Sequence, residues 1–265
     1  MTGHRSVALL SWLAFGYAFL YLPIAILIVY SFNDSRLVTV WSHASLRWYA
    51  ALLENEQLLE AAWLSLRIAA VSATLSAALG TAVAFALQRL KPFFAQRGYE
   101  ALALMPLIIP EVLIGLSLLL LFVVLDIDRG AMTIILAHAS FGTAYATIVI
   151  RARLSQLDPT LEEAAAILGA TPWRTFRRVT LPLLAPAIGA GWLLTFTLSF
   201  DDVVVASFVT GPGASTLPIV VFSSVRLGVS PQINALAAVI VVLVSILILA
   251  ATLMSRSGPR AGGVR

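Results

Sequence analysis

The sequence predicts an all-α polytopic membrane protein with six transmembrane helices and both termini in the cytoplasm. Three observations carry that expectation. Of 265 residues, 60% are hydrophobic and only 11% charged, with a mean hydropathy of +0.96; a soluble domain carries about a quarter of its residues as charges. Apolar runs recur at the length of about 20 residues that crosses a hydrocarbon core. The basic residues, finally, fall on one side of the alternation these runs create.

Six runs are expected as spans of a single transmembrane domain covering 1–265: Val7 to Phe32, Ala61 to Leu87, Glu100 to Leu125, Ala131 to Ile150, Leu183 to Phe208 and Ile233 to Met254. The first follows Arg5, as a signal peptide would, but it is too long for an h-region and no small-residue cleavage site follows it, so it reads as a retained helix. In the third, Pro106 and Pro110 should bend or break the helix. The fifth carries Thr195, Thr197 and Ser199 in its second half. With both ends inside, Arg5, Arg89, Lys91, Arg97, Arg151, Arg153, Arg174, Arg177, Arg178, Arg256, Arg260 and Arg265 lie in the cytoplasm, 12 of the 17 basic residues, as the positive-inside rule asks. Arg36, Arg47, Arg67, Arg129 and Arg226 remain elsewhere. Trp41, Trp48 and Tyr49 in the first outer loop read either as interfacial aromatics or as the packing of a short surface helix.

Several chemistries are excluded. There is no cysteine, hence no disulfide and no thiolate. The sequence pI near 9.8 reflects inside loops rather than nucleic-acid binding. A phosphate-binding loop needs a lysine after a glycine-rich turn, and the only lysine, Lys91, precedes Pro92 with no such turn. His4, His43 and His138 are too scattered for a metal site; His138, within a span, reads as packed against a neighbouring backbone or as lining. Gly115-Leu116-Ser117 and Gly213-Ala214-Ser215 lack the second glycine of a hydrolase elbow.

The longest inside loop, Arg151 to Pro182, has internal structure. Asp158 and Pro159 read as N-cap and first helical residue, and Thr160 with Glu163 as a capping box. That helix carries Glu162, Glu163, Ala164 and Ala165 and stops at Gly169, suited to a left-handed C-cap. Thr171 and Pro172 restart a second helix with Trp173 and Phe176. Small alanines, hydrogen-bonding acids and apolar anchors together make a rigid knob for a partner.

Glu163-Ala164-Ala165, then Gly169, then Val179 and Leu181-Pro182 at their spacings resemble the EAA loop of the membrane subunits of ATP-binding-cassette importers, with Val179 where isoleucine is usual. The resemblance implies a coupling helix that sits in a cleft of an ATPase subunit. Glu162, Glu163, Ala164, Ala165, Gly169, Trp173, Leu181 and Pro182 are the coupling residues it implies.

Glu111, Asp201 and Asp202 lie within or at the edge of spans. A carboxylate at a bilayer centre costs roughly 2.5 to 3.5 kcal/mol on insertion scales, so these acids, with Thr197, are candidates for a substrate path. Glu111 could equally cap the helix that restarts after Pro110. Successive helical residues stand about 100° apart, so one of the two aspartates is expected to line the path and the other to bond structurally. Unneutralised carboxylates attract a cation.

Ser199-Phe200-Asp201-Asp202, the stretch Ser207 to Pro218 and the stretch Val225 to Ala235 resemble the second permease of polyamine importers, most nearly the putrescine type, with Phe200 where leucine is expected. Tyr30-Ser31-Phe32-Asn33, Leu37 to Trp41 and Arg47-Trp48-Tyr49 are similar to the same family's first outer loop. The resemblance implies a type I ABC importer permease fold in the bacterial inner membrane, a homologous permease partner, two ATPase subunits that bind the ATP and magnesium, a periplasmic polyamine-binding protein, surrounding lipid, and no cofactor in this chain. A different small amine or a phosphonate is the alternative substrate. An ion-coupled secondary transporter is the alternative class; it leaves the coupling pattern without a purpose.

Overall fold

The computed structural model describes residues 3–37, 40–89, 96–227 and 230–256. Lys91, Arg260 and Arg265 of the positive-inside set, and Val38, Thr39, Gly228 and Val229 of the family-like stretches, lie outside the described residues. The elements in order are α1 (Gly3–Tyr30), α2 (Arg47–Leu53), α3 (Glu56–Arg89), α4 (Gln96–Leu104) with a 3₁₀ turn at Met105–Leu107, α5 (Glu111–Val124), α6 (Ala131–Leu154), α7 (Thr160–Ile167), α8 (Pro172–Thr175) leading through a π turn at Phe176–Thr180 into α9 (Leu181–Asp201), α10 (Val204–Val209), α11 (Leu217–Leu227) and α12 (Pro231–Arg256). Among the described residues there is no strand, only an isolated bridge between Asn33 and Ala44.

Four helical stretches are long and apolar enough to cross a membrane: Leu9–Tyr30, Glu56–Arg89, Ala131–Leu154 and Pro172–Asp201. The apolar pair Gln96–Leu107 and Glu111–Val124 is bent by 107° at its break, the geometry of a broken span or of a re-entrant segment. Pro106 and Pro110 flank that break, as their missing N–H groups and ring clashes require. One expectation is corrected: the run from Leu183 to Phe208 is not one helix. It ends at Asp201, because the Asp202 carboxylate takes the N–H groups of Val205 (3.2 Å) and Ala206 (2.6 Å) and so opens a new helix in place of continuing the old one.

The chain divides into two compact units, Met1–Leu58 with Ser223–Arg265, and Leu59–Phe222. In the first unit, α2 and α1 pack against α12. Buried Asn33 organises its loop: its side-chain amide donates to the Val40 carbonyl (2.7 Å), its side-chain oxygen accepts from the Ser42 N–H (3.0 Å), and its backbone carbonyl accepts from the Trp48 indole (2.8 Å). Tyr49 hydroxyl pairs with Ser31 at 2.6 Å. Packing of a short helix therefore accounts for Trp48 and Tyr49, while Trp41 stays half exposed against Tyr30.

In the second unit α6 is the central strut, packed along α9 and touching α5 and α10. Lipid tails are as apolar as leucine, so helices in a bilayer associate through close packing of small residues rather than through water exclusion. The interfaces follow suit. A Cβ on Gly80 would stand 2.7 Å from the Ala146 Cβ, and one on Gly115 would stand 2.6 Å from the Phe208 ring. Ile68, Phe122, Ile134, Phe141, Val205 and Val209 belong to one buried cluster, and Ala84, Ala146, Ile150, Leu154 and Leu184 to another.

Candidate functional site

The loop between α6 and α9 is a corner built on local caps. The Asp158 carboxylate accepts the Thr160 N–H at 2.9 Å, and that bond, with the Thr160 hydroxyl, holds its carboxyl below the ordinary aspartate range. The capping-box expectation is corrected here: α7 begins at Thr160 itself, and the side-chain bond at its start is the one Asp158 makes to the Thr160 N–H. Gly169 adopts φ +82°, and the N–H groups of Gly169 and Ala170 return to Ala166 (2.9 Å) and Ala165 (3.0 Å), the left-handed C-cap expected from its position. Thr171 caps α8 through the Arg174 N–H at 3.4 Å.

The two glutamates of α7 differ. Glu162 turns back onto its own chain, 3.3 Å from Arg89 Nε and accepting from the Thr180 hydroxyl at 2.9 Å. Glu163 and Ala164 are exposed, Ala165 and Leu181 half-buried, Gly169 and Pro182 exposed. Beside them Ile167 is 86% exposed, Leu168 88% and Trp173 69%. Trp173 stacks on Phe176, which meets Phe85 of α3 edge-on. The knob is thus tied from behind by Arg89, Glu162, Thr180 and Phe85 and presents an apolar tip with Glu163 at its side.

The intramembrane acids converge. Glu111, Asp201 and Asp202 line one cavity of about 310 Å³ with Phe141, Tyr145, Leu198, Val203 and Val204. Glu111 is the first residue of α5, whose N-cap is Pro110, and it lines that space. Asp201 is exposed on the last turn of α9. Among the described residues neither carboxylate has an ion-pair partner. Asp202 is engaged: its side chain is 7% exposed, and Oδ2 sits 3.1 Å from Nε2 of His138, whose side chain is wholly buried. The other imidazole nitrogen, Nδ1, is 2.6 Å from Ser199 Oγ. His138 is packed, as the sequence favoured, but on side chains of α9 rather than on a neighbouring backbone. Thr197 is exposed, bonds back to the Leu193 carbonyl at 2.9 Å, and is not part of the cavity wall.

Sequence reasoning missed Phe141 and Tyr145 at this place, and Arg89 and Thr180 behind the knob; Ser199 it named only as a polar group of the fifth run. Phe141 and Tyr145 lie one helical turn apart on α6, after His138, and that spacing was the available signal.

The chemistry of the cavity is legible without a ligand. Two unpaired carboxylates favour positive charge, and the faces of Phe141 and Tyr145 suit an organic ammonium group. A charged cavity walled by apolar helices fits a transport protein. Its family is narrower: residues 76–261 match the binding-protein-dependent transport system inner membrane components, and the chain belongs to that family. It is 54% identical over 234 residues to the putrescine transport system permease protein PotI of Escherichia coli strain K12, covering 86% of this chain and 83% of that one. It is 41% identical over 240 residues to the spermidine/putrescine transport system permease protein PotC of the same strain, covering 91% and 90%. Among solved structures, a chain of a bacterial ABC transporter that imports the acidic polysaccharide alginate superposes with a TM-score of 0.75 at 18% identity, over 97% of this chain and 96% of that one. A chain of the MetNI methionine ABC transporter gives 0.62 at 20%, over 77% and 96%. The fold is that of ABC importer permeases. It is shared by an importer of a polyanion, so the fold leaves the charge of the cargo open and the side chains of the cavity must decide it.

Proposed function

We propose that this chain is one permease of an ATP-driven polyamine importer, taking putrescine or spermidine, and that it forms half of the translocation path. The observation that carries the reading is the cavity in which Glu111 and Asp201 stand without a protein cation beside aromatic rings. The names of the permeases at 54% and 41% identity support the same cargo.

In this reading the chain has six spans, α12 being the last, with both termini in the cytoplasm of a bacterium and the whole in its inner membrane. The partners are a homologous permease that closes the other half of the path, two ATPase subunits that hold ATP and magnesium, and a periplasmic binding protein that delivers the amine. The chain itself needs no cofactor and makes no covalent bond. Its knob, with Glu163, Ala164, Ala165, Gly169 and Trp173 on the ATPase side and Glu162, Leu181 and Pro182 on the membrane side, passes nucleotide-driven movement to α9. Each ligand can drive the cycle only by preferring one of the two access states: loaded binding protein and ATP favour the state open to the outside, and their release favours the other.

The test is putrescine uptake into proteoliposomes that hold this chain with its partner permease, ATPase and binding protein. Uptake that needs both ATP and binding protein, and survives collapse of ion gradients, is the expected result. Uptake that needs the gradient and not ATP would overturn the class; none from an assembled complex would withdraw the polyamine.

A further inference from the structure

We propose that His138 is a positioning residue of the acidic cavity: by clamping the break between α9 and α10 from both sides, it decides that Asp201, not Asp202, is offered to the substrate. The role of Asp201 rests on the reading above; the clamp itself is geometry.

The two aspartates are neighbours in sequence, at the point where α9 gives way to an extended residue, Asp202 at φ −67°, ψ 128°. A chain released from helical hydrogen bonds has rotational freedom there, and either carboxylate could swing into the cavity. Asp202 is held back because both of its oxygens are taken. Oδ1 accepts from the Val205 N–H, and Oδ2 from the Ala206 N–H and from the imidazole edge of His138. A buried carboxylate needs such partners to remain buried. The same ring reaches back across the break to Ser199, the last buried polar residue of α9. One rigid side chain from α6 therefore fixes the residue three before Asp202 as well as Asp202. Because the Asp202 carboxylate can only accept, the clamp needs the proton on Nε2, and in the neutral ring Nδ1 then accepts from the Ser199 hydroxyl. Phe141, one turn further along α6, packs against the ring with centroids 5.5 Å apart and lines the cavity itself, so displacement of the imidazole is felt in the wall as well as at the break.

The absence of cysteine makes the test clean. Val203→Cys places a single thiol in the break, on the cavity wall, and its rate of modification by a small water-soluble cationic thiosulfonate reports how the break is held. In the assembled importer, His138→Leu is expected to change that rate by about tenfold and to raise the KM for putrescine by a similar factor with Vmax within about twofold, the scale of losing a buried hydrogen bond to a charged group. His138→Gln, whose amide can still donate to Asp202, is expected to restore most of both. Ser199→Ala, which removes only the partner on the α9 side, is expected to give a smaller change in the same direction and serves where the leucine variant does not assemble. Thiol reactivity and KM that stay at parental values in the His138 or Ser199 variants would overturn the proposal, as would a loss of Vmax with KM unchanged. Protection of Val203→Cys by excess putrescine is read separately: without it, the cavity reading falls, and the reactivity of the thiol alone judges the clamp.

Discussion

The knob of 151–182 and the acidic cavity are both built of carboxylates and aromatics, yet they use them in opposite ways. In the knob the bonds that start and stop its helices are short in sequence, Asp158 to Thr160, Gly169 to Ala166 and Thr171 to Arg174, and only its back is tied to distant residues, Arg89 and Phe85. The exposed residues left over, Ile167, Leu168 and Trp173, are apolar. In the cavity the bonds join distant parts of the chain, His138 to Ser199 and Asp202, and the residues left over are charged. The knob leaves apolar groups bare at its tip, whereas the cavity leaves carboxylates bare. Glu162 and Asp202 are the satisfied members of the two acid pairs, Glu163 and Asp201 the unsatisfied ones.

That contrast can be broken at several points. The largest effect is expected from Asp201→Asn, which should lower ATP-driven uptake roughly ten- to hundredfold, the loss of about 1.5–3 kcal/mol of interaction with a charged group, while ATPase co-purification is unchanged; normal uptake would move the path elsewhere. Glu111→Gln should act in the same direction, more weakly, because its residue stands at the start of a separate helix. Glu163→Lys reverses the pattern: insertion and the cavity remain, and co-purification of the ATPase falls severalfold. Recovery of an intact complex with normal transport would count against a coupling role for the knob. Gly169→Val is expected to weaken ATPase binding through the corner itself, since a β-branched residue at φ +82° costs about 1–2 kcal/mol; a melting curve that does not shift would show the corner free to rearrange.

The smallest effect belongs to Asp158→Asn. The carboxyl of Asp158 is held low in the folded chain, so its contribution to stability is present above the ordinary aspartate pKa and is lost as pH falls through the folded value. At neutral pH the parent should therefore melt slightly above the variant, and the difference should shrink as pH falls through the region of carboxylate titration and vanish below it.

The knob was readable because helix starts and stops depend on residues two to four positions apart. Asp158, Gly169, Thr171 and Pro172 each announce a backbone conformation by their own chemistry. The capping box of Thr160 and Glu163 did not form, while the Asp158 cap read from the same stretch did, and the helix begins at Thr160, one residue after the expected Pro159. Glu162 was not separable from Glu163 by sequence, since the difference lies in Arg89 and Thr180. Similarly, the acids of the membrane were visible because each stands out against an apolar run, but the partner that divides Asp201 from Asp202 lies more than sixty positions away.

Sequence alone determined that the chain is an apolar helical protein, that its third apolar run is bent at Pro106 and Pro110, that the loop of 151–182 is a capped corner, and that three carboxylates lie in or beside apolar runs, where carboxylates are costly. These follow from local rules of hydrogen bonding, proline geometry and solvation, which need no knowledge of neighbours. The tertiary structure decided what those residues face. It broke the fifth apolar run at Asp202, drew Glu111 and Asp201 to one cavity walled by Phe141 and Tyr145, and withdrew Asp202 onto His138. Which of two adjacent carboxylates is left unpaired depends on the side chains a folded chain brings within about 3 Å, and that proximity is not written in the order of residues.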